Sequence, residues 1–130
     1  MRTRILAAVL VSCLCFAVPA KAPDAVTADP SHYKVDTDNA QVRILRVHYG
    51  PHEKSVMHSH PATVAVFLTD ANAQFTFPDG KKQPVNAKAG DVIYSPATVH
   101  LPENLSDKPF EVIVIELKGP APKAAGSSKK

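Results

Sequence analysis

Past its first 22 residues the chain contains no cysteine; Cys13 and Cys15 are the only two. Disulfides therefore cannot hold the folded body together, whatever the redox state of its compartment. A basic surplus is missing as well. The 15 basic and 12 acidic residues of the whole sequence become 9 and 12 between positions 23 and 119, because Arg2, Arg4, Lys21, Lys123, Lys129 and Lys130 all lie at the ends. With no basic stripe left, nucleic acid is excluded as a partner. No apolar run reaches the roughly 20 residues that a membrane-spanning helix needs. No repeat of roughly 20 to 50 residues is visible, and no stretch sustains a helical apolar period for about three turns.

The two ends read as processing and solvent segments. Arg2 and Arg4 precede an apolar run at positions 5–18 that only Ser12 interrupts, and Ala20-Lys21-Ala22 places small residues at cleavage spacing. Residues 1–22 are thus expected to be a secretory signal peptide, sending the protein to a bacterial periplasm or outside the cell. Pro23 follows Ala22 directly, which is awkward for the peptidase and makes a cut after Ala20 an alternative to one after Ala22. An alternative reading is that Leu10-Val11-Ser12-Cys13 resembles a lipobox, which would leave a lipid anchor at Cys13. Residues 23–31 are expected to be irregular, 32–118 to form the fold, and 119–130 (GPAPKAAGSSKK) to be a disordered tail with nothing to bury.

The body is written in strands. Val42–Tyr49 (VRILRVHY) and Phe110–Leu117 (FEVIVIEL) are rich in β-branched and aromatic residues, and 64–68 (VAVFL), 74–77 (QFTF) and 92–94 are shorter runs of the same kind. Gly50-Pro51, residues 70–72, Pro78-Asp79-Gly80, Ala89-Gly90-Asp91 and Ser95-Pro96 punctuate them. Pro78-Asp79-Gly80 followed by two lysines is a hairpin turn, with proline pre-setting φ and glycine accepting a positive one. Short strands at even spacing predict an all-β sandwich or barrel. Strands apolar on both faces, such as residues 112–115, need a second sheet or a partner subunit on the outer side. Tyr49, Phe67 and Tyr94 are expected in the core.

His58 and His60 are separated by one residue, so on a strand they project the same way and can share one ion. Four of the six histidines (His48, His52, His58, His60) fall within thirteen residues. A lone His-x-His occurs by chance on exposed strands, so the surrounding glycines, prolines and later histidine matter more. The sequence resembles the cupin family. That family's first motif is a glycine, about five residues, His-x-His and, three or four residues on, a glutamate. Here Gly50 stands two residues further upstream, before His58-Ser59-His60. The second motif runs from Gly90 through Asp91, Pro96 and His100 to Asn104, one residue short in the turn and with Thr98 for the usual glycine. The resemblance spans residues 42–117. It implies a cupin-type jelly-roll β-barrel with His58, His60 and His100 converging on one divalent metal (iron, zinc, manganese or nickel).

The family's glutamate would fall at Val64 or Ala65, and neither can bind a metal. A three-histidine site with open positions is therefore favoured over loss of the ion, because burying idle polar groups costs a few kcal/mol. Glu53 and Glu103 are expected to be solvated, and His48 and His52 are candidates for the pocket rim or for the plain surface. Two functions stay open: a mononuclear metal enzyme, dioxygenase- or isomerase-like, on a small polar molecule, or a non-catalytic barrel that captures a small ligand or metal. Without disulfides a body of about 90 residues is marginal alone, so a homodimer is expected. Metal should leave as the pH falls below ~6.5, the ordinary histidine pKa.

Overall fold

The structure, a computed structural model, describes residues 21–119. Residues 1–20, most of the expected signal peptide, and residues 120–130, most of the expected tail, lie outside the described residues. Alternating apolar and polar positions build two antiparallel sheets. One has the order β1-β2-β9-β4-β7, formed by β1 (Tyr33–Asp38), β2 (Val42–Tyr49), β4 (Thr63–Phe67), β7 (Val92–Ser95) and β9 (Phe110–Leu117). The other has the order β3-β8-β5-β6, formed by β3 (His58–His60), β5 (Ala71–Thr76), β6 (Lys82–Ala87) and β8 (Thr98–Asn104). This is the all-β jelly-roll sandwich that the sequence predicted.

The inward faces follow the two-residue period of a strand. In β2, Leu45, Val47 and Tyr49 are buried, and in β9, Phe110 and Val112. Phe67, Ala71, Ala73 and Ala87 join that cluster from β4, β5 and β6, with Tyr33 from β1 and Ala25 ahead of it. The two longest strands predicted from β-branched content match β2 and β9 residue for residue, and these two pair along their full length from Val42↔Leu117 to Tyr49↔Phe110. The predicted turn is also present. Gly80 has φ +81, Phe77 donates its N–H to the Lys81 carbonyl, and Asp79 Oδ1 accepts from the Lys81 N–H.

Three elements differ from the expectation. Residues 23–31 contain a one-turn helix, α1 (Ala25–Ala28), whose Asp24 side chain caps the Val26 N–H. β1 (YKVDTD) buries only Tyr33, so it carries almost no apolar signal. β6 contains Pro84, which argues against a strand; β6 pairs only with β5, and on such an edge the missing N–H costs no ladder bond.

Candidate metal centre

β3 and β8 pair with His58 opposite His100 and His60 opposite Thr98, so the strand period and the register together bring three imidazoles to one place. All three are buried, His58 completely and the other two to within 7% exposure. One ring nitrogen from each lies within 4.8 Å of the others. The three residues picked out in the sequence are thus assembled.

The hydrogen bonds fix which nitrogen faces inward. His58 Nδ1–H donates to the Val56 carbonyl at 2.8 Å, and His60 Nδ1–H donates to Glu116 Oε1 at 2.7 Å. A carbonyl and a carboxylate can only accept, so the Nε2 atoms carry lone pairs, and these stand 3.1 Å apart. Two nitrogens each about 2.0–2.1 Å from one ion are separated by about that distance. Neither ring nitrogen of buried His100 has a hydrogen-bond partner. An unmade bond of that kind costs about 1–3 kcal/mol, and a cation shared by the three rings would take one lone pair from each, leaving only the N–H of His100 without a partner. The residues present therefore fit a metal ion.

Burial, reinforced by His60, pushes His58 down to about 4, and burial with the neighbouring imidazoles pushes His100 down to about 3. Both are neutral at pH 7, the form a metal requires. Proton competition at these two ligands accordingly begins below the ~6.5 of an ordinary histidine.

Glu116, which sequence reading passed over, organises the far side of His60. It is fully buried at the end of β9, and its second oxygen accepts from Arg43 Nε at 2.5 Å. Arg43 NH2 continues to Asp24 Oδ1 at 3.1 Å. Burial opposes the charge on Glu116, yet the bonds from His60 and Arg43 outweigh it and hold the carboxyl below its usual range. A carboxylate that locks a ligand imidazole is worth about 10–100-fold in metal affinity. Glu116→Gln is expected to weaken divalent-ion binding by about that factor, measured by competition with a chromophoric chelator. Unchanged affinity would mean that Glu116 does not orient His60.

The N-terminal segment braces the same strand. Ser59, between the two histidines, donates its N–H to the Pro23 carbonyl and its hydroxyl to the Ala22 carbonyl. Asp29 accepts from Ser55 Oγ at 2.5 Å and from His32 Nδ1–H at 2.6 Å. Burial works against that charge, but the bonds from Ser31, Ser55 and His32 bring Asp29 to about 2.

The other candidates lie elsewhere. His48 is exposed on β2, and exposed His52 pairs with Asp107 at 2.7 Å. Glu53 accepts from the Gly50 N–H and from His32, and Glu103 faces Lys54. None of the four joins the imidazole cluster. Ala65 lines the cavity beside the histidines, so no carboxylate occupies the family's fourth position. Tyr49 and Phe67 are in the core as expected, but Tyr94 is 64% exposed. It sits on edge strand β7 with Val64 as its ladder partner, and among the described residues no strand pairs beyond it.

His60 and His100 open onto a cavity of about 540 Å³ between the sheets. Phe75 leans on His100 with ring centroids 4.3 Å apart, and Tyr33 meets His58 at 4.9 Å. The remaining motif residues are structural. Asn104 Nδ2 donates to the Gly50 carbonyl, joining the two motifs, and Gly90 takes φ +91 in the turn before β7.

Comparison with known proteins agrees with this architecture. The family model Cupin_2, described as cupin domain, matches residues 45–116. Among solved structures, a cupin domain from Bordetella pertussis superposes with a TM-score of 0.63 at 24% identity, covering 77% of this chain and 99% of that one. An RmlC-like cupin family protein with a double-stranded β-helix fold from Methanocaldococcus jannaschii gives a TM-score of 0.55 at 18% identity, covering 66% and 78%. A cupin superfamily protein from Desulfitobacterium hafniense gives 0.52 at 19%, covering 67% and 76%. At these identities the likeness establishes the fold alone. No curated protein is significantly similar to the chain.

Proposed function

The chain belongs to the cupin domain family, and from that premise we propose that it is an exported barrel holding one divalent transition-metal ion through His58, His60 and His100. The observation that carries this reading is the trio of buried imidazoles, two with lone pairs 3.1 Å apart and one with both nitrogens unpartnered. An all-imidazole set suits zinc, iron, nickel or copper rather than magnesium or calcium, which prefer oxygen donors. When bound, the ion supplies Lewis acidity at a position open to the cavity. The chain's own residues do the rest: Val56 and Glu116 fix the tautomers, the N-terminal segment braces β3, and the apolar walls exclude water. Elemental analysis of protein purified without chelators is expected to find about one ion per chain; metal-free protein that also fails to take up added zinc, iron or nickel would end the proposal.

Whether the ion turns a small molecule over is a separate matter. Among the described residues no aspartate or glutamate lines the cavity, so an enzyme here would lack a carboxylate base. That observation favours the second reading, a barrel that captures a small ligand without converting it. Oxygen uptake together with NMR of the ligand after incubation with metal-loaded protein separates the two, since the capturing barrel consumes no oxygen and returns its ligand unchanged.

The leader pattern supports export, and the outer face of the larger sheet supports a homodimer. Ile44, Ile113, Ile115, Val64 and Val66 lie partly exposed across β2, β9 and β4, and Val92 extends the stripe at 63% exposure. Such contiguous apolar faces mark association sites. Intact mass and sedimentation of the exported protein check both points. A mature chain starting near Lys21 or Pro23 is expected, at twice the chain mass, with Ile113→Glu shifting it to monomer. An uncleaved monomer would reject both.

A further inference from the structure

We propose that residues 22–33, ahead of the stretch matched by the family model, form a clamp in which Asp24 is a positioning residue for His60 and Asp29 for His58. The inference rests on the proposed metal site and adds the residues that hold its ligands in place. The need for a clamp is local. β3 is three residues long and is the edge of its sheet, pairing among the described strands with β8 alone. Yet it carries two of the three clustered imidazoles. So short an edge strand has little ladder of its own to keep two side chains in register. The N-terminal segment takes its open side. Asp24 and Ser59 form a parallel bridge, and Ser59 donates its N–H to the Pro23 carbonyl at 2.8 Å and its hydroxyl to the Ala22 carbonyl at 2.9 Å.

The single turn of α1 puts an aspartate at each end, Asp24 before it and Asp29 after it, and each connects to a different imidazole. Asp24 accepts from Arg43 Nη2 at 3.1 Å, Arg43 Nε donates to Glu116 at 2.5 Å, and Glu116 accepts from His60 Nδ1–H at 2.7 Å. A guanidinium is a rigid planar fork, so holding Asp24 with one nitrogen sets the direction in which the other holds Glu116. On the second branch, the Ser55 hydroxyl donates to buried Asp29 at 2.5 Å. Its proton is thereby committed, and its oxygen is left to accept from His58 Nδ1, 3.4 Å away, beside the Val56 carbonyl that accepts from the same N–H. Tyr33 closes the clamp. Its N–H donates to the Asp29 carbonyl, and its ring centroid lies 4.9 Å from that of His58 and 5.6 Å from that of His60.

Asparagine keeps the size of aspartate and caps a helix as well, so Asp24→Asn/Asp29→Asn separates the clamp from a mere helix cap. This variant is expected to bind cobalt(II) about tenfold more weakly than the wild type, the low end of what a partner behind a metal ligand contributes, measured by competition with a chromophoric chelator. Asp36→Asn/Asp38→Asn makes the same charge change on the exposed part of β1 and should bind like the wild type. Nitrogen–proton NMR of the metal-free protein reads the branches one at a time. Ser55→Ala should shift the ring-nitrogen signals of His58 and leave those of His60, and Arg43→Lys should do the reverse. Unchanged affinity in Asp24→Asn/Asp29→Asn, an equal loss in the β1 control, or both rings shifting together in either single variant would overturn the clamp. If the double aspartate variant does not fold, the two single variants decide. A wild type that takes up no cobalt fails the parent reading instead, and the ring signals then still test the clamp.

Discussion

The His58→Ala/His60→Ala double variant should lose its metal, falling from about one ion per chain to background by elemental analysis. The geometry makes the loss that large. Each residue presents an Nε2 whose other ring nitrogen is held by Val56 or Glu116, and among the described residues no fourth histidine, cysteine, aspartate or glutamate joins the group placed to hold one ion. His100 would remain as a single imidazole, and Thr98, opposite His60, is a poor ligand. The matching control is His48→Ala/His52→Ala. These belong to the same histidine-rich stretch but are exposed, and they should leave the metal content unchanged. Circular dichroism must show both variants folded, because trimming two buried rings opens a cavity that costs some stability. Chelation gives a second readout. A ligand that binds only the folded state raises its stability by mass action, so a chelator should lower the unfolding midpoint of the wild type and leave the double variant where it was. Equal metal in wild type and double variant would remove the histidines from the site.

What the sequence revealed followed from how local the signal was. β2 and β9 were legible because β-branched residues fill them, and the trio of histidines was legible because a strand period and a motif pointed to the same positions. β1 and β6 were not, since one buries a single residue and the other carries Pro84. Tyr94 was misplaced because an aromatic in an apolar strand reads as core, whereas burial depends on what covers β7, the edge of its sheet. Glu116 is the instructive omission. The alternation Phe110, Val112, Val114, Glu116 already put a carboxylate on the inward face, and Arg43, Leu45, Val47, Tyr49 did the same for a guanidinium. Only the register, Arg43↔Glu116, showed that the two charges neutralise each other behind His60. That pairing spans 73 residues of sequence, which no local pattern encodes.

Acid should destabilise the metal-free protein from about pH 6.5 downward, above the range in which Asp29 and Glu116 titrate. His58 and His100 are held neutral in the folded state, with pKa values of about 4 and about 3 set first by burial and then by neighbouring imidazoles. In the unfolded chain both return to ~6.5. Between those values the unfolded state binds protons that the folded state refuses, so stability falls as the pH drops from ~6.5 toward 4 and recovers as it rises. By pH 4 the loss amounts to about 3 kcal/mol for each histidine, against a total stability of about 5–15 kcal/mol for a domain. Asp29 and Glu116 act in the same direction, but their carboxyls lie below the ordinary range, so their contribution disappears only at lower pH. Thermal melts of chelator-treated protein should therefore show the midpoint dropping steeply across that window. His100→Leu removes one of the two groups without stranding any hydrogen-bond partner, since neither nitrogen of His100 has one. It should flatten the profile by about half. A wild-type midpoint that holds steady from pH 7 to pH 4 would mean that these imidazoles are not buried in their neutral form, and with that the ligand assignment would fall.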